Sequence, residues 1–281
     1  MPTIKLIADS GSTKTEWCLI QGRKRTTVLS QGLSPYFVSG PQMEKILHDE
    51  VLPALGRRRP DQVFFYGTGC GSAGNLKTVK TALKHVFPHA SLQVGTDIAG
   101  AARALCGKEK GIACILGTGS SACYFNGHRI VKNNPGLGYI LGDEGSGAYM
   151  GKKVIQYYLY NTFDGDLRAR FDARFVTNAT EILDNVYRKP LANRYLASFA
   201  IFLAENRGHF MVENIIEDAF NDFFYHHLCK FTESWKMPIH FTGSVAYGFR
   251  DVLAEMCDSY QFQLGNVYQK PMDGLVRFHS N

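Results

Sequence analysis

The sequence predicts an α/β protein of two lobes, each a mixed β-sheet flanked by helices, with a ligand cleft between them. Three observations carry this: the length, a strand pattern that starts twice, and glycine-hydroxyl turns placed behind apolar strands. The chain has 281 residues, too many for one small domain and suited to two that share a cleft. Hydrophobic residues make up 45% and charged residues 20%, enough apolar material for real cores.

The first half opens with "TIKLIAD", a β-branched run ending in an acid, and "EWCLIQG" alternates as a second strand. Gln21-Gly22 turns the chain into "RKRTTVLS", a third strand. Met43, Ile46, Leu47, Val51 and Leu55 are spaced for a helix over 41–55 with Pro41 in its first turn. "QVFFYGTG" reads as a buried strand, 75–87 as a helix, "SLQVGTD" as a strand, and Asp97 opens the Ala-rich helix "DIAGAARAL". Near Gly107-Lys108 the pattern restarts: "GIACILGTGSS" is strand then glycine loop, and "SACYFNG" and "HRIVKN" are further strands. A long helix runs from Glu144 onward, "LANRYLASFAIFLAEN" and "MVENIIEDAFNDFFYHHL" are helical, "MPIHFTGSVAYGF" is strand, glycine loop and helix, and "YQFQLGNVY" is a late strand. The N-terminal lobe is expected over 1–107, with the C-terminal segment 270–281 as the piece that can complete it. The larger C-terminal lobe, with a helical insertion, is expected over 108–269.

Composition narrows the function classes. The net charge is +6, and the densest basic run, Arg57-Arg58-Arg59 before Pro60, reads as a solvated loop without the aromatic interleaving of a nucleic-acid reader. Seven cysteines, Cys18, Cys70, Cys106, Cys114, Cys123, Cys229 and Cys257, contain no CxxC pair and lie mostly in apolar runs. They read as free thiols in a reducing compartment. The segment "MPTIKLIADS" lacks the basic flank and long apolar core of a signal peptide, and no run is long enough to span a bilayer. A cytoplasmic protein with neither nucleic-acid nor membrane partner is expected.

"ADSGSTKTEW" (8–17) carries the ingredients of a phosphate-binding loop. It fails as a Walker A motif, because Thr13 stands where glycine must precede Lys14, Ala8 takes the first-glycine position, and a strand follows instead of a helix. Two readings remain. One is a plain hairpin turn; the other is a turn through Gly11 whose backbone N–H groups, with the Ser12 and Thr13 hydroxyls, hold phosphate oxygens. In the second reading Asp9, at the strand's end, holds Mg²⁺ through water. The second copy, "ILGTGSS" (115–121), favours the phosphate reading, since two such turns can close on one triphosphate. A third loop, "FTGSVA" (241–246), lies between a strand and a helix and can face the adenosine.

In their order "DSGSTKTEW", "GTDIAGAARA", "GTGSSA", "GDEGSGAY" and "FTGSVA" span nearly the whole chain. The set resembles the actin, hexokinase and heat-shock-chaperone ATPase superfamily, and within it the BadF/BadG/BcrA/BcrD ATPase branch that contains N-acetylglucosamine kinase. The resemblance implies two ribonuclease H-like lobes and transfer of the γ-phosphoryl of ATP, with Mg²⁺, to the 6-hydroxyl of an amino sugar. Asp97 is implied as the base; a carboxylate there caps a helix equally well by its chemistry, and the motif context favours catalysis. The phosphate and nucleotide set implied is Ser10, Gly11, Ser12, Thr13, Lys14, Gly117, Thr118, Gly119, Gly243, Ser244 and Ala246. The sugar set implied is Ser34, Asp97, Ser120, Ser121, Gly136, Leu137, Gly138 and Asp143. Glu144 and Ser146 are read as the start of the following helix.

Three sugar-side positions depart from the family pattern. Ser34 and Ser121 stand where the kinases carry asparagine, and Leu137 where a tryptophan is typical. Serine offers one hydroxyl in place of an amide, so a bulkier hexosamine such as N-acetylmuramic acid, or glucosamine, is the alternative acceptor. An ATPase activator of a dehydratase needs clustered cysteines, and a non-enzymatic sugar sensor would have no need of Asp9 and Asp97. A homodimer is expected from the apolar helical segments over 179–235.

Overall fold

The computed structural model describes residues 3–134 and 136–280. It divides into two compact units, 1–108 with 271–281, and 109–270.

The first unit is built on five strands in the order β3-β2-β1-β4-β5: β1 Ile4–Ser10, β2 Lys14–Gln21, β3 Lys24–Gln31, β4 Gln62–Gly67 and β5 Ser91–Thr96. The first three form an antiparallel meander, and β4 and β5 continue the sheet parallel to β1. β1 is central and buried on both faces, with Leu6, Ile7 and Ala8 inaccessible. On one face Leu6, Ala8, Trp17 and Phe65 pack under the helix Ala73–Val86 and the helical segment 40–55. That segment is not one regular helix: a π turn, Leu47–Val51, separates Gly40–Ile46 from Leu52–Leu55, where Pro53 has no N–H to continue the ladder. The other face, with Ile7, Cys18, Ile20 and Tyr66, is covered by Asp97–Cys106 and Met272–Ser280.

The helix Met272–Ser280 is anchored through a buried polar chain. Arg103 donates to the Tyr66 hydroxyl at 2.5 Å, and that hydroxyl is hydrogen-bonded to Nε2 of His279 at 2.8 Å. The His279 ring stacks on Phe64, and Lys5 holds its carbonyl. Burial, then the Arg103 and Lys5 charges, push the His279 pKa down to about 4. The unfolded chain, titrating near the ordinary value of about 6.5, therefore binds more protons than the folded one between those two values. Stability rises with pH across this window and is lost as pH falls through it, by up to about 3 kcal/mol. Denaturant titrations at pH 7 and pH 4.5 should show the wild type losing more stability than His279→Gln; equal losses would rule out His279 as the source.

The second unit repeats the strand order: β10-β9-β6-β7-β8. β6 Lys110–Leu116, β7 Ser120–Asn126 and β8 Ile130–Asn134 form the meander, and β9 Ile239–Thr242 and β10 Leu264–Tyr268 extend it in parallel. Its larger core includes Met150, Phe171, Phe202, Phe220, Phe223, Phe224 and Phe241. The helix expected from Glu144 begins at Gly147 (Gly147–Leu159), because Ser146 is its cap and accepts from the Tyr149 N–H. "LANRYLASFAIFLAEN" forms two helices, Ala192–Ser198 and Ala200–Glu205. Among the described residues no helix is long and apolar enough to cross a membrane.

Candidate active site

In the first unit the C-terminal ends of β1, β4 and β5 lie in register: Ser10 pairs with Gly67, and Gly67 with Thr96. One residue further on are Gly11, Thr68 and Asp97, so strand pairing alone brings the first glycine turn and the implied base to one sheet edge. The cap of the Asp97 helix is Thr96, whose hydroxyl accepts from the Ala99 N–H. Asp97 is thereby relieved of the capping role that its type suggests. Its Oδ1 accepts from the Ile98 N–H at 2.8 Å. The carboxyl is half-buried, and burial raises its pKa above the ordinary value, opposed by the Ile98 N–H and by the Thr68 hydroxyl.

The first turn is built as much by its packing as by its own letters. Gly11 donates to the Lys14 carbonyl, and the Thr13 carbonyl accepts from Gly32, both at 3.0 Å. A side chain at Gly32 would lie 2.5 Å from the Gly11 carbonyl oxygen, so the turn sits directly on that glycine. Gly11 and Lys14 are exposed, and Ser12 and Thr13 half-buried. Ser10 is 1% exposed. Its hydroxyl bonds Thr15 at 2.8 Å and accepts from Leu33, so the hydroxyl is committed to the fold. Asp9 faces Glu16 across the β1–β2 pair, placing two carboxylates side by side on one face. Ser34 is fully buried, with its hydroxyl unpaired, close against Gly69.

In the second unit the carbonyls of Gly117 and Thr118 accept from Gly147 and Ala148 at 2.8 and 3.1 Å, completing the start of the helix Gly147–Leu159. No peptide in the described chain is cis. The N–H groups of Thr118 and Gly119 therefore point opposite to those carbonyls, away from the helix. Thr118 is exposed, and nothing lies within 4 Å of the position a side chain at Gly117 would fill. This is an open cradle of N–H donors and one hydroxyl, of the kind that takes phosphate oxygens.

Asp143 sits against the same loop. Its Oδ2 is 3.0 Å from where a Gly119 Cβ would be, and its Oδ1 accepts from the Ser120 N–H at 3.4 Å. Asp143 is left-handed at φ 58°, a strained conformation for a residue with a side chain. Burial raises its pKa, opposed chiefly by the Ser120 N–H. Ser120 is buried with its hydroxyl unpaired, and Ser121 is half-buried. Gly136, Leu137 and Gly138 are exposed, and Leu137 rests against Gly142. The third loop joins the group because β9 runs parallel to β6, pairing Thr242 with Ile115. Gly243 then lies against the backbone of Leu116 and Gly117, and Ser244 is exposed at the start of Ser244–Gly248. Ala246 is inaccessible in the core, where its side chain serves packing.

Sequence reading did not single out Gly32, Thr68 or His227. Gly32 and Thr68 carried only the generic signal of glycine-rich bends. His227 carried none, since its partner Glu144 is 83 positions away.

Two sheets of identical strand order, each with a glycine turn after its first strand, define the actin-like ATPase fold class. Within it the chain belongs to the BadF/BadG/BcrA/BcrD ATPase family, whose model matches residues 8–272. A candidate N-acetylglucosamine kinase from Porphyromonas gingivalis is 39% identical, with 98% of each chain covered and a TM-score of 0.93. A candidate N-acetylglucosamine kinase from Chromobacterium violaceum (17% identity, 99% of each chain, TM-score 0.77) is similar in fold. So is a ROK family glucokinase from Streptomyces griseus, solved with glucose and AMPPNP (13% identity, 100% of this chain and 98% of that one, TM-score 0.53). Among curated proteins none matches the chain significantly.

Proposed function

We propose that the protein is an ATP-dependent sugar kinase that phosphorylates the 6-hydroxyl of an N-acetylhexosamine, N-acetylglucosamine first. The observation that carries this reading is the setting of Asp97: a carboxylate at a strand end, on a helix whose cap is Thr96, bonded through Oδ1 to the Ile98 N–H and with its basicity raised by burial. Such a group takes the proton of an acceptor hydroxyl as the oxygen–phosphorus bond forms and the bond to the ADP oxygen breaks. The 39% identical Porphyromonas protein supports the same acceptor class.

On this reading the Thr118 and Gly119 N–H groups, the Thr118 hydroxyl and Ser244 hold the nucleotide, and Gly11, Ser12, Thr13 and Lys14 form the second phosphate turn. Mg²⁺, when bound, neutralises phosphate charge; the paired carboxylates of Asp9 and Glu16 match the oxygen preference of a hard cation. Ser34 and Ser120, whose buried hydroxyls have no protein partner, are assigned to the acceptor side. Ser121, Gly136, Leu137, Gly138 and Asp143 complete the acceptor side. The shorter side chains at Ser34 and Ser121 keep N-acetylmuramic acid and glucosamine as second acceptors. A dehydratase activator is disfavoured, because six of the seven cysteines are buried and only Cys229 is partly exposed. Among the described residues no group of three or more His, Cys, Asp or Glu could hold a metal.

The free cysteines suit a cytoplasmic protein. Exposed Leu183, Tyr187, Phe210 and Trp235 suit a homodimer. The test is ADP release from ATP and Mg²⁺ with N-acetylglucosamine, N-acetylmuramic acid, glucosamine, N-acetylmannosamine and glucose. N-acetylglucosamine is expected to give the highest kcat/KM. No stimulation by any sugar would reject the kinase reading.

A further inference from the structure

The turn that carries Asp143 is held from outside by the end of the helix Phe210–His226. The turn closes on itself through the Ser146 N–H, which donates to the Asp143 carbonyl at 3.0 Å. Gly145, at φ 71°, lies so close to Phe223 that a side chain there would meet its Cβ at 2.9 Å. The next turn of that helix brings His227, whose ring stacks on Phe223 at 4.8 Å and whose Nε2 is 3.0 Å from Glu144 Oε2. Both side chains are largely buried, 7% and 16% exposed. The Glu144 carboxylate folds back over Gly142, the residue before the strained one. His227 is itself fixed: its carbonyl accepts from the Asn134 amide at 3.1 Å.

The tautomer follows from the surroundings. Nδ1 is buried and without a partner, and Nε2 faces a carboxylate. A proton on Nδ1 would leave two lone pairs opposed at Nε2, so Nε2 carries the hydrogen and donates it. A buried nitrogen left unpaired is a local cost that packing alone does not require.

We infer that His227 and Glu144 are positioning residues that hold Asp143 in its left-handed conformation, with its carboxylate fixed against Gly119 and Ser120 for the acceptor. Neither touches the acceptor. The charged and titratable groups around Asp143 are Glu144, His227 and Lys152, and burial dominates its raised pKa. Without the brace the turn relaxes toward ordinary backbone angles and the carboxylate leaves the loop. The role rests on the kinase reading in one respect, that Asp143 meets the acceptor.

The test uses the whole protein, with His227→Phe to remove the donor, His227→Gln to replace it at the Nε2 position, and Glu144→Gln. With active wild type, His227→Phe should raise the acceptor KM about tenfold and leave the ATP KM within about twofold, and His227→Gln should recover most of the loss. An unchanged acceptor KM in folded His227→Phe, or equal rises in both KM values, overturns the inference. The second readout needs no activity: long-range ¹H–¹⁵N spectra of the imidazole should show the Nε2–H tautomer, shifted in Glu144→Gln. An Nδ1–H tautomer, or no response to Glu144→Gln, overturns the brace by itself. A wild type idle with every sugar, but with the Nε2–H signal in place, rejects the kinase reading and leaves the brace supported.

Discussion

Asp97→Asn is expected to lower kcat by about 10²–10⁴-fold while leaving the protein as stable as the wild type or more so. The rate follows from proton transfer: asparagine keeps the volume and the contact with the Ile98 N–H but has no lone pair basic enough to take the hydroxyl proton. The stability follows from burial. A carboxyl whose folded pKa is raised holds its proton more tightly when folded, so it makes the protein less stable as pH rises through the window between the ordinary and raised values. At neutral pH the folded protein therefore carries a desolvated charge that asparagine removes. In the wild type, kcat/KM should fall as pH drops through a pKa above the usual carboxylate range. Kinetics and thermal melts on one preparation check both halves. A variant that turns over normally dismisses Asp97 as the base, and one that is inactive but much less stable assigns it to the fold instead.

The sequence disclosed what depends on near neighbours. Alternation and β-branching gave both meanders, because each strand's two faces are set by residues two apart, and the glycine turns stand out where "ADSGST" and "LGTGSS" interrupt apolar runs. The implied base was legible only through its motif: by residue type alone Asp97 is as good a cap, and it took the structure to give that task to Thr96. Ser10 and Ala246 belong to readable motifs, yet their side chains turn inward. Which face of a strand end or short helix is covered depends on what packs against it, here Leu33 and Thr15 for Ser10 and the core of the second unit for Ala246. The pairing of His227 with Glu144 and the approach of Gly243 to Leu116 span long stretches of chain. Contacts of that kind leave no local periodicity to read.

Gly243→Ala should be strongly destabilising. At φ 126° the backbone occupies a region that side chains avoid, and the new Cβ would lie 2.1 Å from the Leu116 carbonyl oxygen and 2.6 Å from its carbon. Those atoms are backbone at the end of β6 and cannot rotate aside, so relief requires the ends of β6 and β9 to part, breaking the pairing that sets the Gly117 loop. Strain and displaced backbone together should cost more than about 3 kcal/mol. Gly117→Ala is the matched control: it adds the same methyl on the other side of that contact, where nothing lies within 4 Å. Its stability should stay within about 1 kcal/mol of the wild type. Its ATP KM should nevertheless rise, because the methyl enters the open side of the cradle. Denaturant melts and ATP titrations of the two variants separate the effects. If Gly117→Ala binds ATP as well as the wild type does, the loop is not the phosphate cradle. If Gly243→Ala melts with the wild type, the ends of β6 and β9 leave room for a methyl, and the close approach of their two loops has no role in building the site.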